Sequence, residues 1–354
     1  IEPPTWALLL AQSVRNKNYE CSILDFDADP KGINESIKDI VDLNPKLVIF
    51  VLYGQNPNSG TTMMIGASEL AKELKKNYSN LKVGFIGSHV SALPKEVIKL
   101  DYVDFAFINE GVLSLLLLLE TNLKDNLEKI PGIWFKDFDG NPKQGKAGQI
   151  VINEKMDIVM PGYAWDLLPK KNKMLDKYRA HFWHTNFLQD ERTPFAAIYT
   201  SLGCQFACNF CMINIVNRTS HDDSITAANS KGMRFWSPNL ILKEFEKLYE
   251  FGVKTLRISD EMFFLNRKYY VPILEGLIQR GLKFNLWAYA RVDSVRKDQL
   301  ELFKRAGVNW LALGIESGSQ EVRIDAVRSV WEISGVKEVM NEIEVGDQTT
   351  LKEY

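Results

Sequence analysis

Short apolar runs alternate with amphipathic segments along most of this chain of 354 residues, and this alternation restricts the fold more than any other feature. Near-continuous runs of Val, Ile, Leu and Phe are typical of parallel strands that helices cover on both faces. In residues 1–120 the strand-like runs are Glu20–Phe26, Lys46–Tyr53, Lys82–Ile86 and Asp104–Ile108, and the helical segments between them are Gly32–Leu43, Thr61–Lys76 and Pro94–Leu100. The pattern predicts an α/β domain with a doubly wound parallel sheet of the flavodoxin-like type. The helical segment Pro4–Arg15 has no strand before it, so we expect a chain that starts inside its first β–α unit.

A second series of strands and helices begins at residue 195. Its strand-like runs are Phe195–Ser201, Thr255–Ser259, Lys283–Ala290 and Trp310–Ile315, and its helical segments are Pro238–Phe251, Tyr269–Arg280 and Lys297–Ala306. These repeats predict a partial (β/α) barrel over residues 195–323. Residues 121–194, rich in Gly and Pro, are predicted as a connector that contains a hairpin of Ile130–Phe135 and Gln149–Ile152. Residues 324–354 are assigned to no domain. Their pattern predicts charged helices, Ile324–Ile333 and Val336–Glu344, and no further barrel strand. We therefore expect a short barrel or a fragment.

The composition excludes some classes of partner. The 43 basic and 45 acidic residues nearly balance, which gives no electrostatic case for nucleic acid. The longest leucine run, Leu115–Leu119, is far too short to span a membrane. With 4 cysteines and no signal peptide in the sequence as given, we expect a cytoplasmic protein.

Three of the cysteines lie within eight residues, at Cys204, Cys208 and Cys211. A disulfide would leave one thiol unpaired, and cysteines this close pair poorly. A zinc site would need a fourth ligand, for which His221 is a candidate, although zinc motifs usually contain C-x2-C pairs. A four-iron cluster on three thiolates would leave one iron open to a ligand. The fourth cysteine, Cys21, is predicted to be a small buried side chain.

Polar residues end the three strands that follow the cysteine loop. They are the sequences Ser259-Asp260-Glu261, Arg291 in Ala-Arg-Val-Asp, and Glu316 in Gly-Ile-Glu-Ser-Gly. The carboxyl ends of parallel strands meet at one edge of a barrel, so we expect these side chains to lie near the cysteines.

The cysteine loop with its aromatic Phe210 and this ordered set of strand ends resemble the radical SAM superfamily. The segments Gly84–Glu96 and Asp104–Gly111 are similar to the cobalamin-binding domain that is often fused to such enzymes. The resemblance implies a [4Fe–4S] cluster on Cys204, Cys208 and Cys211, with catalysis at that cluster. It also implies that S-adenosylmethionine contacts Ser259, Asp260, Glu261, Arg291 and Glu316.

The resemblance to the cobalamin-binding domain places its ligand at the strand ends of the first domain. The residues that it implies as cobalamin contacts are Tyr53, Gly54, Gly87, Ser88, His89, Glu110 and Gly111. The alternative is a flavodoxin-like domain that binds no cobalamin. No D-x-H-x-x-G string is present to supply an axial histidine.

The resemblance implies a cobalamin-dependent radical SAM methyltransferase that acts on an unactivated carbon of a small molecule. Its electron donor would be a flavodoxin or ferredoxin. A cyclase or rearrangement enzyme with the same domains, and a truncated protein that binds the cofactors without turnover, are the alternatives.

Overall fold

A computed structural model describes residues 1–54, 57–182, 192–206, 208, 211, 213 and 232–331. The candidate zinc ligand His221 and the predicted helix Val336–Glu344 lie outside these residues. No helix in the described ranges is both long enough and apolar enough to cross a membrane.

The first sheet has five strands in the order β1-β2-β3-β4-β5. β1, β2 and β3 are parallel, whereas β4 and β5 add to β3 as an antiparallel hairpin. The strands are β1 Leu47–Leu52, β2 Lys82–Gly87, β3 Phe105–Phe107, β4 Ile133–Lys136 and β5 Pro142–Gln144. The helices around this sheet are α1 Thr5–Arg15, α2 Ile33–Asp42, α3 Pro57–Asn77, α4 Ser88–Ala92, α5 Pro94–Ile98 and α6 Val112–Glu120, followed by the short α7 Met156–Val159.

Helices cover both faces of the first sheet, as the doubly wound prediction requires. Phe105 and Phe107 pack in one core with residues of α1 and α6. Val83 and Phe85 point to the other face and pack in a second core with residues of α2, α3 and α5. Successive strand residues face opposite sides of a sheet, so a strand buried by two helical layers is apolar throughout.

Two predictions about the segments around the first sheet are wrong. Residues Glu20–Phe26 form no strand. The segment pairs with no strand of the described sheet, and its alternating Cys21 and Ile23 pack against the core. The hairpin is present and turns near Asp139 and Gly140, but its second strand is Pro142–Gln144 rather than Gln149–Ile152.

The second sheet has four parallel strands in the order β11-β10-β9-β6. They are β6 Phe195–Ile198, β9 Thr255–Ile258, β10 Asn285–Arg291 and β11 Val308–Gly314, and the helices are α8 Pro238–Glu250, α9 Arg267–Gln279, α10 Leu300–Arg305 and α11 Gln320–Trp331. A two-stranded antiparallel ribbon, β7 Ser201–Leu202 with β8 Arg234–Phe235, follows β6. Residues of α8, α9 and α10 bury the alternate strand residues Ala196, Leu256, Leu286 and Ala288 in one core. The predicted α/β partial barrel is confirmed.

Candidate functional site

The carboxyl ends of the two sheets meet at the side chain of Trp6, on α1. Its indole ring lies 5.0 Å from the ring of Tyr53, just after β1, and 6.0 Å from the ring of Tyr199, just after β6. Its Nε1 donates to the carbonyl oxygen of Glu110, which follows β3, at 3.1 Å. The two strand-end regions predicted to bind different ligands are therefore neighbours. The sequence did not single out Trp6 for this position, because its apolar helix pattern indicates only a buried face.

The three thiols of the cysteine loop lie close enough to influence one another. None of the three is in a disulfide, and each is partly exposed. Burial raises the pKa of Cys204, and the neighbouring Cys211 and Cys208 add to this effect. Burial likewise raises the pKa of Cys211, which Glu261 and Glu316 also influence. Two backbone amides favour negative sulfur here, because Phe206 N–H donates to Cys204 Sγ at 3.5 Å and Ile213 N–H donates to Cys211.

The donor set of this loop fits a thiolate-bound cluster. It offers several partly exposed thiols outside any disulfide, on one short turn with backbone donors beside them. Within the described ranges, no three His, Cys, Asp or Glu side chains are already arranged to hold a metal ion.

Asp260 ties the start of the loop to the end of β9. Its carboxylate accepts hydrogen bonds from Thr200 N–H at 2.5 Å, Thr200 Oγ1 at 2.6 Å and Ser201 Oγ at 2.6 Å. The residue is fully buried, and burial raises its pKa to about 6 against the opposing effect of these hydrogen bonds. All of these contacts are within the chain, so the structure gives Asp260 the contacts of a positioning residue for the cysteine loop.

Two tyrosines hold the same backbone. Tyr163 Oη donates to the carbonyl oxygen of Tyr199 at 2.7 Å and accepts from the N–H of Tyr199 at 2.9 Å. Tyr269 Oη, on α9, donates to the carbonyl oxygen of Thr200 at 2.5 Å. The strand that delivers the cysteine loop is thus fixed from the connector and from a helix, and nothing in the sequence pattern indicated these two residues.

Glu261 faces the cysteine loop with unused acceptor capacity. Its carboxyl group accepts from the N–H of Gly203, one residue before Cys204, and it influences the pKa of both Cys204 and Cys211. Its Oε2 is buried and has no hydrogen-bond partner among the described residues. Burial raises the pKa of Glu261 to about 8. A buried carboxyl oxygen without a donor fits a cationic ligand group at this position.

Arg291 and Glu316 reach the loop from β10 and β11. The guanidinium carbon of Arg291 lies 4.0 Å from the ring centre of Phe206 in the loop, and Asp293 holds the guanidinium at 3.0 and 2.8 Å. That hydrogen bonding raises the pKa of Arg291, and Cys208 and Glu316 contribute. Glu316 is exposed and has a left-handed φ of 57°, a conformation that costs a residue with a Cβ about 1 kcal/mol or more. Ser259 lies deeper, where its Oγ accepts from Arg257 Nε at 3.2 Å.

At the edge of the first sheet, Ser88 offers the clearest unsatisfied polar group. Its Oγ is buried without a hydrogen-bond partner among the described residues. Tyr53 is committed to the protein, since its Oη donates to the carbonyl oxygen of Asn109 at 2.5 Å. His89 is partly exposed, shares a 3.1 Å hydrogen bond between its Nδ1 and Thr61 Oγ1, and has a pKa lowered by burial.

The glycines of this edge have packing roles of their own. A Cβ on Gly87 would lie 2.4 Å from the carbonyl oxygen of Leu52 on β1. Gly111 has a φ of 66°, and its Cβ would lie 2.0 Å from Ile86 Cδ1. Gly54 approaches Ser59 closely in the same way. These close approaches require glycine at the three positions whether or not a ligand binds. The unsatisfied Ser88 Oγ is therefore the stronger evidence for a ligand at this edge.

Glu110 is part of a buried ion pair between the two halves of the molecule. Its Oε1 pairs with Arg234 Nη2 on β8, and each side chain is 5% exposed. Its Oε2 accepts from Val151 N–H at 3.0 Å, and Arg234 Nη1 donates to the Val151 carbonyl oxygen at 2.9 Å. The sequence did not indicate Arg234, because an ion pair between distant segments leaves no local pattern.

Comparison with known families matches the two halves of the chain separately. The B12 binding domain matches residues 1–118, and the Radical SAM superfamily matches residues 198–344. The cofactor prediction of cobalamin and S-adenosylmethionine is confirmed at the level of these two families.

Individual relatives are similar over most of the chain. An uncharacterized methyltransferase of Pyrococcus horikoshii is 27% identical over 323 residues, covering 90% of this chain and 62% of the relative. The anaerobic magnesium-protoporphyrin IX monomethyl ester cyclase of Cereibacter sphaeroides is 22% identical over 369 residues, covering 99% of this chain and 53% of that protein. The chain thus spans less than two thirds of the length of these curated relatives.

A solved structure has the same fold. The radical S-adenosylmethionine methyltransferase TsrM of Kitasatospora setae superposes with a TM-score of 0.65 at 14% identity, covering 91% of this chain and 58% of that one. With the two matched domains, this agrees with the family expected from the motifs. The chain carries a B12 binding domain over residues 1–118, followed by a domain of the Radical SAM superfamily over residues 198–344.

Proposed function

We propose that the chain is the cofactor-binding part of a cobalamin-dependent radical SAM methyltransferase that acts on a small molecule. The proposal is based on the meeting of the two strand-end regions at Trp6. The cysteine thiols and the unsatisfied Glu261 Oε2 lie on one side of Trp6, and the unsatisfied Ser88 Oγ lies on the other. Methyl transfer between two cofactors requires such proximity.

Cys204, Cys208 and Cys211 would hold a [4Fe–4S] cluster. When bound, the cluster supplies the electron for reductive cleavage of S-adenosylmethionine, and cobalamin carries the methyl group. The residues of the chain supply geometry: Asp260, Tyr163 and Tyr269 fix the strand that enters the loop.

The polar groups around the loop suit the charges of S-adenosylmethionine. Glu261 would accept from its ammonium group, Arg291 would pair with its carboxylate, and Glu316 would accept from its ribose hydroxyls. Ser259 and Asp260 would act indirectly, because their hydrogen bonds are made within the chain. For cobalamin we propose Ser88 and His89 as polar contacts, with Tyr53, Gly54, Gly87 and Gly111 shaping the edge and Glu110 acting through Arg234.

Anaerobic reconstitution tests this proposal. The full chain, loaded with iron, sulfide and hydroxocobalamin and then reduced in the presence of S-adenosylmethionine, should release 5′-deoxyadenosine and should retain the cobalamin absorption bands after gel filtration. A cluster-loaded protein that yields no 5′-deoxyadenosine would support the non-catalytic alternative. Loss of every cobalamin band would support an empty flavodoxin-like domain.

An oxidative cyclase is the second candidate, because the similarity to the Cereibacter cyclase extends over 99% of the chain. The by-product formed from S-adenosylmethionine distinguishes a methyltransferase from a cyclase. A methyltransferase must demethylate S-adenosylmethionine and so release S-adenosylhomocysteine, whereas a cyclase has no use for the methyl group. We further propose a flavodoxin or ferredoxin as the electron donor, and turnover with either protein in place of a chemical reductant tests this.

Replacing Glu261 with glutamine should change ligand affinity and stability in opposite directions. Below its pKa of about 8 the buried carboxyl group is mostly protonated, so the affinity for the S-adenosylmethionine ammonium group should rise up to tenfold per pH unit between pH 6 and 8. In Glu261→Gln this rise should vanish, and affinity at pH 8 should fall about 10- to 100-fold. Equilibrium dialysis at several pH values measures both effects.

The stability effect follows from the same raised pKa. The folded chain holds a proton on Glu261 that the unfolded chain releases at lower pH, so this residue costs stability progressively as pH rises from about 4.5 to 8. Glu261→Gln should therefore raise the melting temperature at pH 8 and change it little at pH 4.5. Glu301→Gln, at an exposed position of α10, is the matched control. Unchanged melting at pH 8 together with unchanged affinity would contradict the assignment.

A further inference from the structure

A surface groove of about 620 Å³ runs beside the cysteine loop. The cysteine loop, the β7–β8 ribbon and the start of α9 all contribute to its lining, which includes Gln205, Phe235, Asn266, Arg267 and Lys268. Gln205 is exposed and directly follows Cys204 in the chain. A partner bound in the groove would therefore contact the residue next to a proposed cluster ligand.

Tyr269 holds the walls of the groove together. It comes directly after Lys268 on α9, and its hydroxyl group donates to the carbonyl oxygen of Thr200 at 2.5 Å. Its ring lies 4.4 Å from the ring of Phe235, whose backbone pairs with Ser201 in the ribbon. Thr200 and Ser201 lead into the cysteine loop. The first turn of α9 is therefore attached directly to the segment that delivers the thiols.

Four exposed cations lie at this groove and beside it, and we call them the basic face: Arg267, Lys268, Arg296 and Lys297. Arg267 and Arg296 both influence the pKa of Tyr270, so they lie around the same side chain. Lys297 precedes Asp298, which pairs with Arg267 at 2.8 Å. Two exposed acids, Asp298 and Glu301, follow these cations in the chain. The basic face is thus locally positive in a chain whose formal net charge is −2.

The exposure of these cations favours a broad acidic surface over a single small anion. Arg267 already has a carboxylate partner, and both side chains of that pair are more than half exposed. Water and salt weaken the hold of exposed charges on one small anion, whereas a partner with many opposite charges is attracted over about 10 Å at moderate salt. The near balance of 43 basic and 45 acidic residues disfavours nucleic acid as that partner. An acidic protein fits best.

The position of the groove indicates what that protein supplies. The proposed cluster gives an electron to S-adenosylmethionine, so it must receive one from outside the chain. Complexes between electron-carrier proteins are typically small and weak, and opposite charges orient the two partners. The proposed S-adenosylmethionine contacts Glu261, Arg291 and Glu316 are not among the described residues that line the groove. A carrier bound there would reach the loop without taking the place of S-adenosylmethionine.

We propose that the groove and the basic face are the docking surface for a small acidic electron-carrier protein of the flavodoxin or ferredoxin type. One electron leaves the reduced cofactor of the carrier and enters the oxidised cluster, and no atom is transferred. The reduction of a cluster rests on the proposed function, whereas the binding of an acidic carrier to this surface does not.

Binding is measured with oxidised flavodoxin and oxidised ferredoxin as probes, so that no turnover occurs. Isothermal titration calorimetry is performed on the full chain after anaerobic reconstitution with iron, sulfide and hydroxocobalamin. We expect at least one carrier to bind with a dissociation constant on the order of 10 μM at low salt, as in weak electron-transfer complexes. Raising the salt from about 50 to 300 mM should weaken this binding about tenfold.

Two double variants with the same change in net charge assign the binding to the basic face. Lys268→Gln/Arg296→Gln leaves the pair of Arg267 with Asp298 in place and should weaken carrier binding about tenfold. Lys254→Gln/Lys283→Gln is the matched control, since these exposed lysines lie near the amino ends of β9 and β10, at the opposite edge of the sheet. It should change the affinity by less than about twofold.

Release of 5′-deoxyadenosine with two kinds of reductant tests the electron transfer itself. Photoreduced 5-deazariboflavin is small and uncharged, so it should support the same rate in wild type and in both double variants. With a reduced carrier, Lys268→Gln/Arg296→Gln should raise the KM for the carrier about tenfold and leave kcat unchanged, because the lost charges act on binding.

The outcomes separate this inference from the proposed function. Equal carrier affinity in wild type and Lys268→Gln/Arg296→Gln, an equal loss in both double variants, or no binding of either carrier at about 200 μM overturns the inference. Activity with deazariboflavin would then leave the proposed function standing. A short single-stranded DNA that binds more tightly than both carriers, and only with the basic face intact, overturns the inference in favour of nucleic acid. Carrier binding that depends on the basic face, in a chain that releases no 5′-deoxyadenosine with any reductant, supports the docking surface and refutes the proposed function.

Discussion

Replacing Cys208 with alanine is expected to abolish both the cluster and the cleavage of S-adenosylmethionine. The loop offers three thiols, and a cluster that needs three protein ligands cannot be held stably by two. Reconstituted Cys208→Ala should retain only residual iron and should release no measurable 5′-deoxyadenosine. Cys204→Ala and Cys211→Ala should behave in the same way.

The remaining cysteine provides the matched control. Cys21 is half-buried beside α1, where its Sγ donates to the carbonyl oxygen of Ala11 at 3.5 Å. Cys21→Ala removes a thiol without touching the loop and should keep its full iron content. Full iron in Cys208→Ala would refute the ligand assignment. Stoichiometric zinc that is lost in His221→Ala would instead support the zinc alternative.

Replacing Arg234 with methionine should cause a large loss of stability. The change leaves Glu110 as an unpaired carboxylate in a place where the pair is only 5% exposed. Removing one partner of a buried ion pair typically costs about 3–5 kcal/mol. Scanning calorimetry should show a clear fall in the unfolding temperature, and the bound cobalamin band should weaken because Glu110 follows β3 at the proposed cobalamin edge.

The double variant Glu110→Met/Arg234→Met separates charge from packing. Without either charge, most of the lost stability should return, since apolar side chains of similar size often replace a buried pair at little cost. Arg15→Met, which breaks an ion pair exposed on both sides, should change the unfolding temperature little. Equal losses in Arg15→Met and Arg234→Met would show that the buried pair has no special role.

Some parts of the molecule could be predicted from the sequence and others could not. The cysteine loop and the strand ends around it were predictable because parallel strands place their carboxyl ends at one edge, so chain order indicates proximity. Chain order could not show whether Glu20–Phe26 forms a strand. An apolar alternating run forms a strand only when it pairs with another strand, and Glu20–Phe26 pairs with none in the described structure.

The roles of individual carboxylates were also beyond the sequence. Asp260 and Glu261 are adjacent and follow the same strand, yet Asp260 accepts three hydrogen bonds from the chain while Glu261 keeps a buried oxygen unsatisfied. Successive residues at a strand end point in different directions, and the surroundings of each are set by distant segments. The same holds for Glu110, whose partner Arg234 comes from the ribbon that follows β6.

The sequence by itself determined the α/β class, the two-domain order and the three thiols on one loop, because these depend on local periodicity and spacing. Only the tertiary structure decided that both strand-end regions meet at Trp6, that Asp260 and the two tyrosines fix the loop, and that Arg234 pairs with Glu110 between the two halves of the molecule. These features depend on contacts between segments far apart in the chain, and the free energy of such contacts leaves no trace in local pattern.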